Sequence, residues 1–117
     1  MGERATLPRQ ERLRRRAEFE GLYRGGAKLD KGGIVLFWRV GGPGRRVGVS
    51  ASRAIGGSVK RNRARRRLRE VYRLNKALLP DRVEVLLVAR PQLLTQAFER
   101  TSRDVAAGFR RVARWLA

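Results

Sequence analysis

Apolar and polar residues alternate along this chain with two different periods, which predict short strands and amphipathic helices. Segment 32–40 (GGIVLFWRV) is β-branched and aromatic, and segment 82–89 (RVEVLLVA) is rich in valine and leucine; both compositions are typical of strands. Segment 45–52 alternates valine and alanine with small residues, which is the period of a strand. We expect a further short strand near residue 30 and a turn at the glycine-rich stretch 41–44.

Three helices are predicted around these strands. Residues 11–24 read as the first helix, and the glycine pair that follows is a natural stop. The second begins near Ser58, a good N-cap, and runs to about Lys76. The last has apolar residues at spacings of three and four: Phe98, Thr101, Val105, Phe109, Val112 and Leu116. The order helix, strands, helix, strand, helix predicts an α+β sandwich with helices packed on a small sheet.

The length and the charge limit what this chain can be. Its 117 residues suit a single domain, in which we expect residues 1–10 to form a loose basic arm. Lys and Arg number 29 against 10 Asp and Glu, a net charge of +19. Self-repulsion of that size costs stability, and a polyanionic partner compensates it. Nucleic acid is the first candidate for that partner, and an anionic membrane surface is the second.

The absence of two residue types excludes several kinds of chemistry. The chain has no cysteine and no histidine, so disulfides, zinc-finger sites and thiol or imidazole catalysis are excluded. Cysteine-free composition fits a cytoplasmic protein. No apolar run approaches the roughly 20 residues that span a bilayer, and the arginine-rich N-terminus lacks the apolar stretch of a secretory signal.

The most unusual segment is GGSVKRNRARRRLREVYR, residues 56–73, which places many cations on one predicted helix. Ala64, Val71 and Tyr72 fall within about 60° of Leu68 around the helix axis, so that side is predicted to pack on the sheet. The other sides are cationic. Solvated helix faces usually mix charges, because like charges four residues apart destabilise a helix. This pattern favours contacts with nucleic-acid phosphates, and a plain solvated face is the alternative.

A second candidate surface combines aromatic and basic residues. On the first predicted helix, Arg12, Arg16, Phe19 and Tyr23 share one stripe within about 60° of arc, an arrangement suited to stacking on unpaired bases. Core packing of the two aromatic rings is the alternative. Small polar residues on one strand and an aromatic on its neighbour indicate an open trough, although a solvent-facing strand would show the same pattern.

Four motifs together resemble the bacterial ribonuclease P protein subunit. SVKRNRARRRLRE looks like the family's Arg-Asn-Arg motif, here Arg61, Asn62 and Arg63. RVGVSASRAIGGSV precedes it, VEVLLVARP follows it, and RLRRRAEFEGLYRGG lies near the N-terminus. The similarity runs in order through nearly the whole chain.

The resemblance implies a two-layer α+β sandwich of order α-β-β-β-α-β-α, with a mostly antiparallel sheet and a left-handed strand–helix–strand crossover. It also implies an accessory subunit of an endoribonuclease, which binds a catalytic RNA and helps to remove the 5′ leader from precursor tRNA. Catalysis and its Mg²⁺ ions would belong to the RNA, so the protein alone is expected to be inactive and to hold no cofactor. Neither a membrane nor an obligate protein partner is expected.

The resemblance also assigns residues. Those that would line a cleft for the single-stranded leader are Phe19, Tyr23, Val35, Phe37, Ser50 and Arg53. Those that would face the catalytic RNA are Arg61, Asn62, Arg63, Arg65, Arg66, Arg69 and Arg90. No residue is expected to ligate metal directly, and Asn62 is the candidate for an outer-sphere contact.

Two other classes of function remain as alternatives. A stand-alone nuclease of the two-metal type needs converging carboxylates, whereas Glu18 and Glu20 lie two apart on a predicted helix and Asp81 and Glu84 flank a strand start. A structural RNA-binding protein, such as a ribosomal one, shares the charge and differs in its substrate. A membrane-surface protein needs a large apolar face opposite its cations, which the helix near residues 58–76 lacks.

Overall fold

The computed structural model describes residues 8–42 and 44–116. Its strands are β1 Ala27–Asp30, β2 Ile34–Val40, β3 Arg46–Ala51 and β4 Val83–Ala89. Its helices are α1 Arg16–Gly25, α2 Ser58–Asn75, α3 Gln92–Thr95 and α4 Phe98–Leu116. Short 3₁₀ turns lie at Arg9–Glu11, Arg53–Ile55 and Lys76–Leu78.

The strands form one mixed sheet in the order β1-β2-β4-β3. β1 pairs with β2 and β2 pairs with β4 in antiparallel fashion, while β3 and β4 are parallel and are connected through α2. The predicted α+β class, element order and mostly antiparallel sheet are therefore confirmed. The left-handed sense of the crossover stays a prediction.

The main core lies between α2, α4 and one face of the sheet. Alternate strand residues point into it, including Leu36 on β2 and Leu87 on β4, and both are fully buried. The predicted packing side of α2 is confirmed, because its buried residues are Ala64, Leu68, Val71 and Tyr72. α4 comes so close to the sheet that a Cβ at Gly108 would lie 3.0 Å from the Leu36 side chain. A side chain at residue 108 would therefore require the Leu36 side chain to shift by a few tenths of an ångström.

The opposite face of the sheet carries a smaller cluster and is only partly covered. Leu13, Leu22 and Leu86 are buried there, and Phe19, Phe37 and Val88 pack against them while remaining partly exposed. α1 supplies the cover at one end of this face.

The start of the first helix differs from the prediction. The helix begins at Arg16, not at residue 11, because Arg12 and Leu13 are extended and run beside the edge strand β3. The Leu13 amide donates a 2.8 Å hydrogen bond to the Val47 carbonyl, an interaction that a helical Leu13 could not make. Glu18 then accepts hydrogen bonds from the amides of Arg14 and Arg15, 3.1 Å each, and caps the helix at its true start.

Two consequences follow for the predicted N-terminal features. Arg12 does not share a helical stripe with Phe19 and Tyr23, so that part of the sequence prediction is wrong. Of the predicted basic arm, residues 1–7 lie outside the described part of the chain. The sequence analysis did not predict the short helix α3.

None of the helices in the described part of the chain has the length and apolar character of a membrane-spanning segment.

Candidate nucleic-acid interface

The outer side of α2 is a cationic surface. Because the apolar residues of this helix face the core, the basic residues between them point outward, and Arg63, Arg66 and Arg69 are exposed. The residues of α2 predicted to face RNA all lie on this surface, with no member in the core: Arg61, Asn62, Arg63, Arg65, Arg66 and Arg69.

The protein itself neutralises little of this charge. Arg65 donates a 2.7 Å hydrogen bond to Oδ1 of Asn62, and Arg61 donates a 3.1 Å hydrogen bond to the Gly56 carbonyl. Both acceptors are uncharged. Among the described residues, Arg63, Arg66 and Arg69 have no hydrogen-bond or ion-pair partner. Such unpaired guanidinium groups are free to bind phosphate oxygens, singly or through two parallel hydrogen bonds.

Arg69 shows most directly that this surface repels cations. Although Arg69 is exposed, partial desolvation by its neighbours lowers its pKa, and the guanidinium groups of Arg12, Arg65 and Arg66 lower it further. Four positive side chains therefore share one neighbourhood. An anion placed among them would relieve the mutual repulsion.

The entry to α2 adds backbone donors to this surface. Gly56 has φ of 120°, a conformation that a side chain would strain, and Gly57 is the N-cap. The predicted start of the helix near Ser58 is confirmed, but Ser58 is its first residue and not the predicted N-cap. The first amide N–H groups here have no partner within the helix. Asn62 lies one turn further on and is exposed. The Oδ1 atom of Asn62 keeps a second lone pair, which can accept a hydrogen bond from a metal-bound water.

The partly covered face of the sheet forms a groove beside α1. Val35, Val88 and Ser50 lie side by side across β2, β4 and β3. Phe37 occupies the next position along β2, on the same face, and its ring contacts the Tyr23 ring edge-on at a centroid distance of 4.9 Å. These residues therefore bring the predicted leader-binding groups of α1 and of the sheet together.

Exposure within the groove is uneven. Tyr23 is 45% exposed, whereas Val35 is only 6% exposed and belongs to the floor. Phe19 covers Gly48 so closely that a Cβ there would lie 2.9 Å from its ring. The trough predicted along β3 is therefore closed at Gly48 and continues toward Ser50, which is partly exposed.

Two arginines flank the far end of the groove. Arg53 is exposed in the turn that follows β3. Arg90, directly after β4, forms an ion pair with Asp30 at 2.7 Å and also donates to the Gly32 carbonyl. The hydrogen bonds between these side chains raise the pKa of Arg90 and lower that of Asp30. Arg90 follows Val88 by two residues, so strand alternation carries it to the groove side of the sheet and away from α2.

A cavity at the edge of β3 connects the two surfaces. It has a volume of about 280 Å³, and its lining includes Phe19 of α1, Arg69 of α2 and the extended residues Arg12 and Arg14. The sequence prediction missed Arg14 and the strand residue Val88 as members of the site. Their positions depend on the docking of residues 12–13 against β3 and on the register of β4, which no local pattern specifies.

The described residues contain no group of three or more acidic side chains arranged to hold a metal ion.

Comparisons with known proteins agree with this architecture. The family model described as Ribonuclease P matches residues 7–113. A "Ribonuclease P protein component" from Geobacter sp. (strain M21) is 38% identical over 109 residues, which cover 92% of this chain and 93% of the relative. The solved structure of the "RNase P protein from Thermotoga maritima" matches with a TM-score of 0.76 and 26% identity, over 86% of this chain and 96% of that one. The Staphylococcus aureus RNase P protein matches with a TM-score of 0.72 over 88% of this chain and 94% of that one, and at 20% identity it supports the fold alone.

Proposed function

Because the chain belongs to the ribonuclease P family, we propose that it is the protein subunit of a ribonucleoprotein endoribonuclease that matures tRNA. It binds the catalytic RNA subunit and the single-stranded 5′ leader of precursor tRNA. In doing so it assists the cut that produces the mature 5′ end of the tRNA. We place this activity in the cytoplasm.

The observation that carries the proposal is the pairing of two unlike surfaces on one small sheet. α2 presents Arg63, Arg66 and Arg69, which have no hydrogen-bond or ion-pair partner in the described part of the chain and suit the phosphates of a folded RNA. The groove presents Tyr23 and Phe37 above a floor of small and aliphatic residues, which suits unpaired bases. A generic cationic protein needs only the first surface, whereas a protein that holds a catalytic RNA and a single-stranded leader together needs both.

Each surface has its own residues in this proposal. The leader contacts Phe19, Tyr23, Val35, Phe37, Ser50 and Arg53. The catalytic RNA contacts Arg61, Asn62, Arg63, Arg65, Arg66 and Arg69 on α2. It also contacts Arg90, which lies apart from them at the end of the groove and is held in place by Asp30.

We assign bond cleavage to the RNA subunit, whose Mg²⁺ ions would activate water and stabilise the leaving oxygen. The contribution of the protein is to position the substrate and to neutralise phosphate charge. The Asn62 side chain fits an outer-sphere role, because its oxygen already accepts from Arg65 and can accept from one further donor.

Reconstitution is the direct test. The purified protein is added to a bacterial ribonuclease P RNA at a Mg²⁺ concentration too low for the RNA alone, and release of the leader from precursor tRNA is measured. We expect cleavage only when both components are present. Cleavage by the protein alone after nuclease treatment and repurification, or no stimulation of the RNA, would contradict the proposal.

A pair of variants tests the division between the two surfaces. Arg66→Ala/Arg69→Ala should weaken binding of the catalytic RNA by roughly tenfold or more, since each lost phosphate contact removes a charge-assisted hydrogen bond. Phe19→Ala should leave that affinity nearly unchanged and reduce the preference of the complex for precursor over mature tRNA. A matched control that removes two exposed arginines elsewhere is Arg100→Ala/Arg103→Ala on α4.

The same measurements separate this proposal from a purely structural RNA-binding protein. A structural protein would give equal affinities for precursor and mature tRNA in the presence of the catalytic RNA. Identical phenotypes of the α2 and Phe19 variants would show that the two surfaces do not act separately.

A further inference from the structure

The last turn of α4 carries an exposed tryptophan beside two arginines. Trp115 is 71% exposed. Together with Arg111 and Arg114 it lines an open depression of about 440 Å³. The ring lies 6.5 Å from that of Trp38, which is on the α2 and α4 side of the sheet. The depression is therefore on the opposite side of the sheet from the groove beside α1.

Core packing does not account for this side chain. The buried stripe of α4 ends at Val112. Trp38, behind the exposed ring, is itself only 8% exposed and is already packed in the core. Trp115 thus rests on a fixed support while most of its surface faces solvent, as an aromatic platform for a ligand does. Val40, two residues beyond Trp38 on the same face of β2, is 59% exposed and extends the apolar area.

The charge around the ring narrows the choice of ligand. Arg111 and Arg114 are exposed and have no hydrogen-bond or ion-pair partner among the described residues. Arginines in the last turn of a helix interact favourably with the negative end of its dipole. This interaction accounts for the two cations but not for the exposed tryptophan. A second copy of this chain would bring another net charge of +19 to the contact, so an anionic ligand fits better than self-association.

We propose that Trp115, Arg111 and Arg114 form a second contact for single-stranded RNA, separate from the groove beside α1. An unpaired base stacks on the Trp115 ring, and the two guanidinium groups bind the adjoining phosphates. The inference rests on the proposed function only in taking RNA as the partner. The family match ends at residue 113, so Trp115 lies outside the matched part of the chain.

The fluorescence of Trp115 provides the test. The chain has two tryptophans, so Trp38→Phe leaves Trp115 as the only tryptophan signal. Phe19→Ala and Tyr23→Ala are added to weaken the groove beside α1. Titration with an unstructured adenine-rich RNA 12-mer should quench the signal to saturation. In the same groove-deficient background with Trp38 retained, Trp115→Leu should weaken affinity for the labelled 12-mer by about tenfold, and Trp115→Phe should keep it within about threefold.

The controls separate stacking from other roles of the ring. Circular dichroism melts identify any variant that fails to fold, and sedimentation velocity measures association. Equal affinities of the leucine, phenylalanine and tryptophan forms, or the absence of quenching, would overturn the inference. So would a dimer that Trp115→Leu converts to a monomer, because the ring would then bind another copy of the chain. These outcomes leave the proposed function intact, which fails only if the unaltered protein does not support leader removal by the catalytic RNA.

Discussion

At the scale of single residues, the Tyr72 hydroxyl is buried without a hydrogen-bond partner among the described residues. Its ring packs edge-on against Phe109 at 6.1 Å, and burial raises the pKa of Tyr72. A buried hydroxyl that lacks a partner costs free energy. We therefore expect Tyr72→Phe to leave the free energy of unfolding unchanged or to raise it by up to about 1 kcal/mol, measured by urea denaturation.

The matched control keeps the position and removes the ring. Tyr72→Ala should lower the free energy of unfolding by about 3–5 kcal/mol, because it opens a cavity between α2 and α4. A loss of more than about 1 kcal/mol in Tyr72→Phe would show that the hydroxyl has a partner, such as a buried water.

A second prediction at this scale concerns the repulsion between Arg69 and its neighbouring arginines. Partial desolvation lowers the pKa of Arg69, and three neighbouring guanidinium groups lower it further. Arg69→Met should therefore raise the free energy of unfolding in chloride by roughly 0.5 kcal/mol, since one source of repulsion disappears. Sulfate at ten times its dissociation constant should stabilise the unaltered protein by about 1.4 kcal/mol through binding to this cluster.

Arg69→Met is also the control for the general stabilisation of proteins by sulfate, which does not require a binding site. Thermal melts at equal ionic strength in sulfate and chloride give the increment for both proteins, and the increment should be smaller in Arg69→Met. Equal increments would mean that sulfate acts only through exclusion from the surface, and no preformed anion site would be needed.

At the scale of elements, the position of α1 depends on Glu18. Partial burial raises the pKa of this carboxyl, but hydrogen bonds from the amides of Arg15 and Arg14 and from the Arg46 side chain outweigh burial and hold the pKa below its usual value. A carboxyl whose pKa is lowered by folding stabilises the protein above its unfolded pKa, and the contribution is lost as the pH falls through the lower, folded value. Glu18 should therefore increase the free energy of unfolding near neutral pH, and this contribution should disappear in acid.

We expect Glu18→Gln to cost about 1 kcal/mol of unfolding free energy at pH 7. The difference from the unaltered protein should shrink below about pH 4, measured by urea denaturation at a series of pH values. Glu20→Gln is the control, because this carboxylate lies on the same helix, is 49% exposed and pairs only with the exposed Arg16 among the described residues. A Glu18→Gln difference that does not vary with pH would exclude this role of the carboxylate.

The same helix shows what the sequence could and could not predict. β3 followed from a period of two and α2 from one of about 3.6. β2 and β4 followed from their apolar, β-branched composition, because residues on both of their faces are buried. The start of α1 could not be predicted from such a period, because residues 12–13 take their conformation from hydrogen bonding to β3, far along the chain. The groove floor depended on register for the same reason. Val35, Val88 and Ser50 become neighbours only when the sheet assembles.

At the scale of the whole molecule, the edge strand β3 joins the two proposed binding surfaces, which lie on opposite faces of the sheet. The cavity beside it is lined by Phe19 from one face and Arg69 from the other. A single-stranded RNA that leaves the groove would therefore reach the cationic surface of α2 by passing along the edge of the sheet. Arg46 stabilises this arrangement through ion pairs with Glu18 of α1 at 2.9 Å and with the buried Glu84 of β4 at 3.2 Å.

The net charge of +19 predicts that RNA binding by the whole molecule depends strongly on salt concentration. If about six phosphates are engaged, the affinity for the catalytic RNA should fall with roughly the fourth to sixth power of salt concentration. Doubling monovalent salt from about 0.1 to 0.2 M should then weaken binding about 16- to 64-fold. Filter binding at several salt concentrations gives the slope. Arg66→Ala/Arg69→Ala should reduce that slope by about one to two, while Phe19→Ala should leave it unchanged. A flat salt dependence in the unaltered protein would mean that phosphate neutralisation does not drive binding, and the excess charge would then need another explanation.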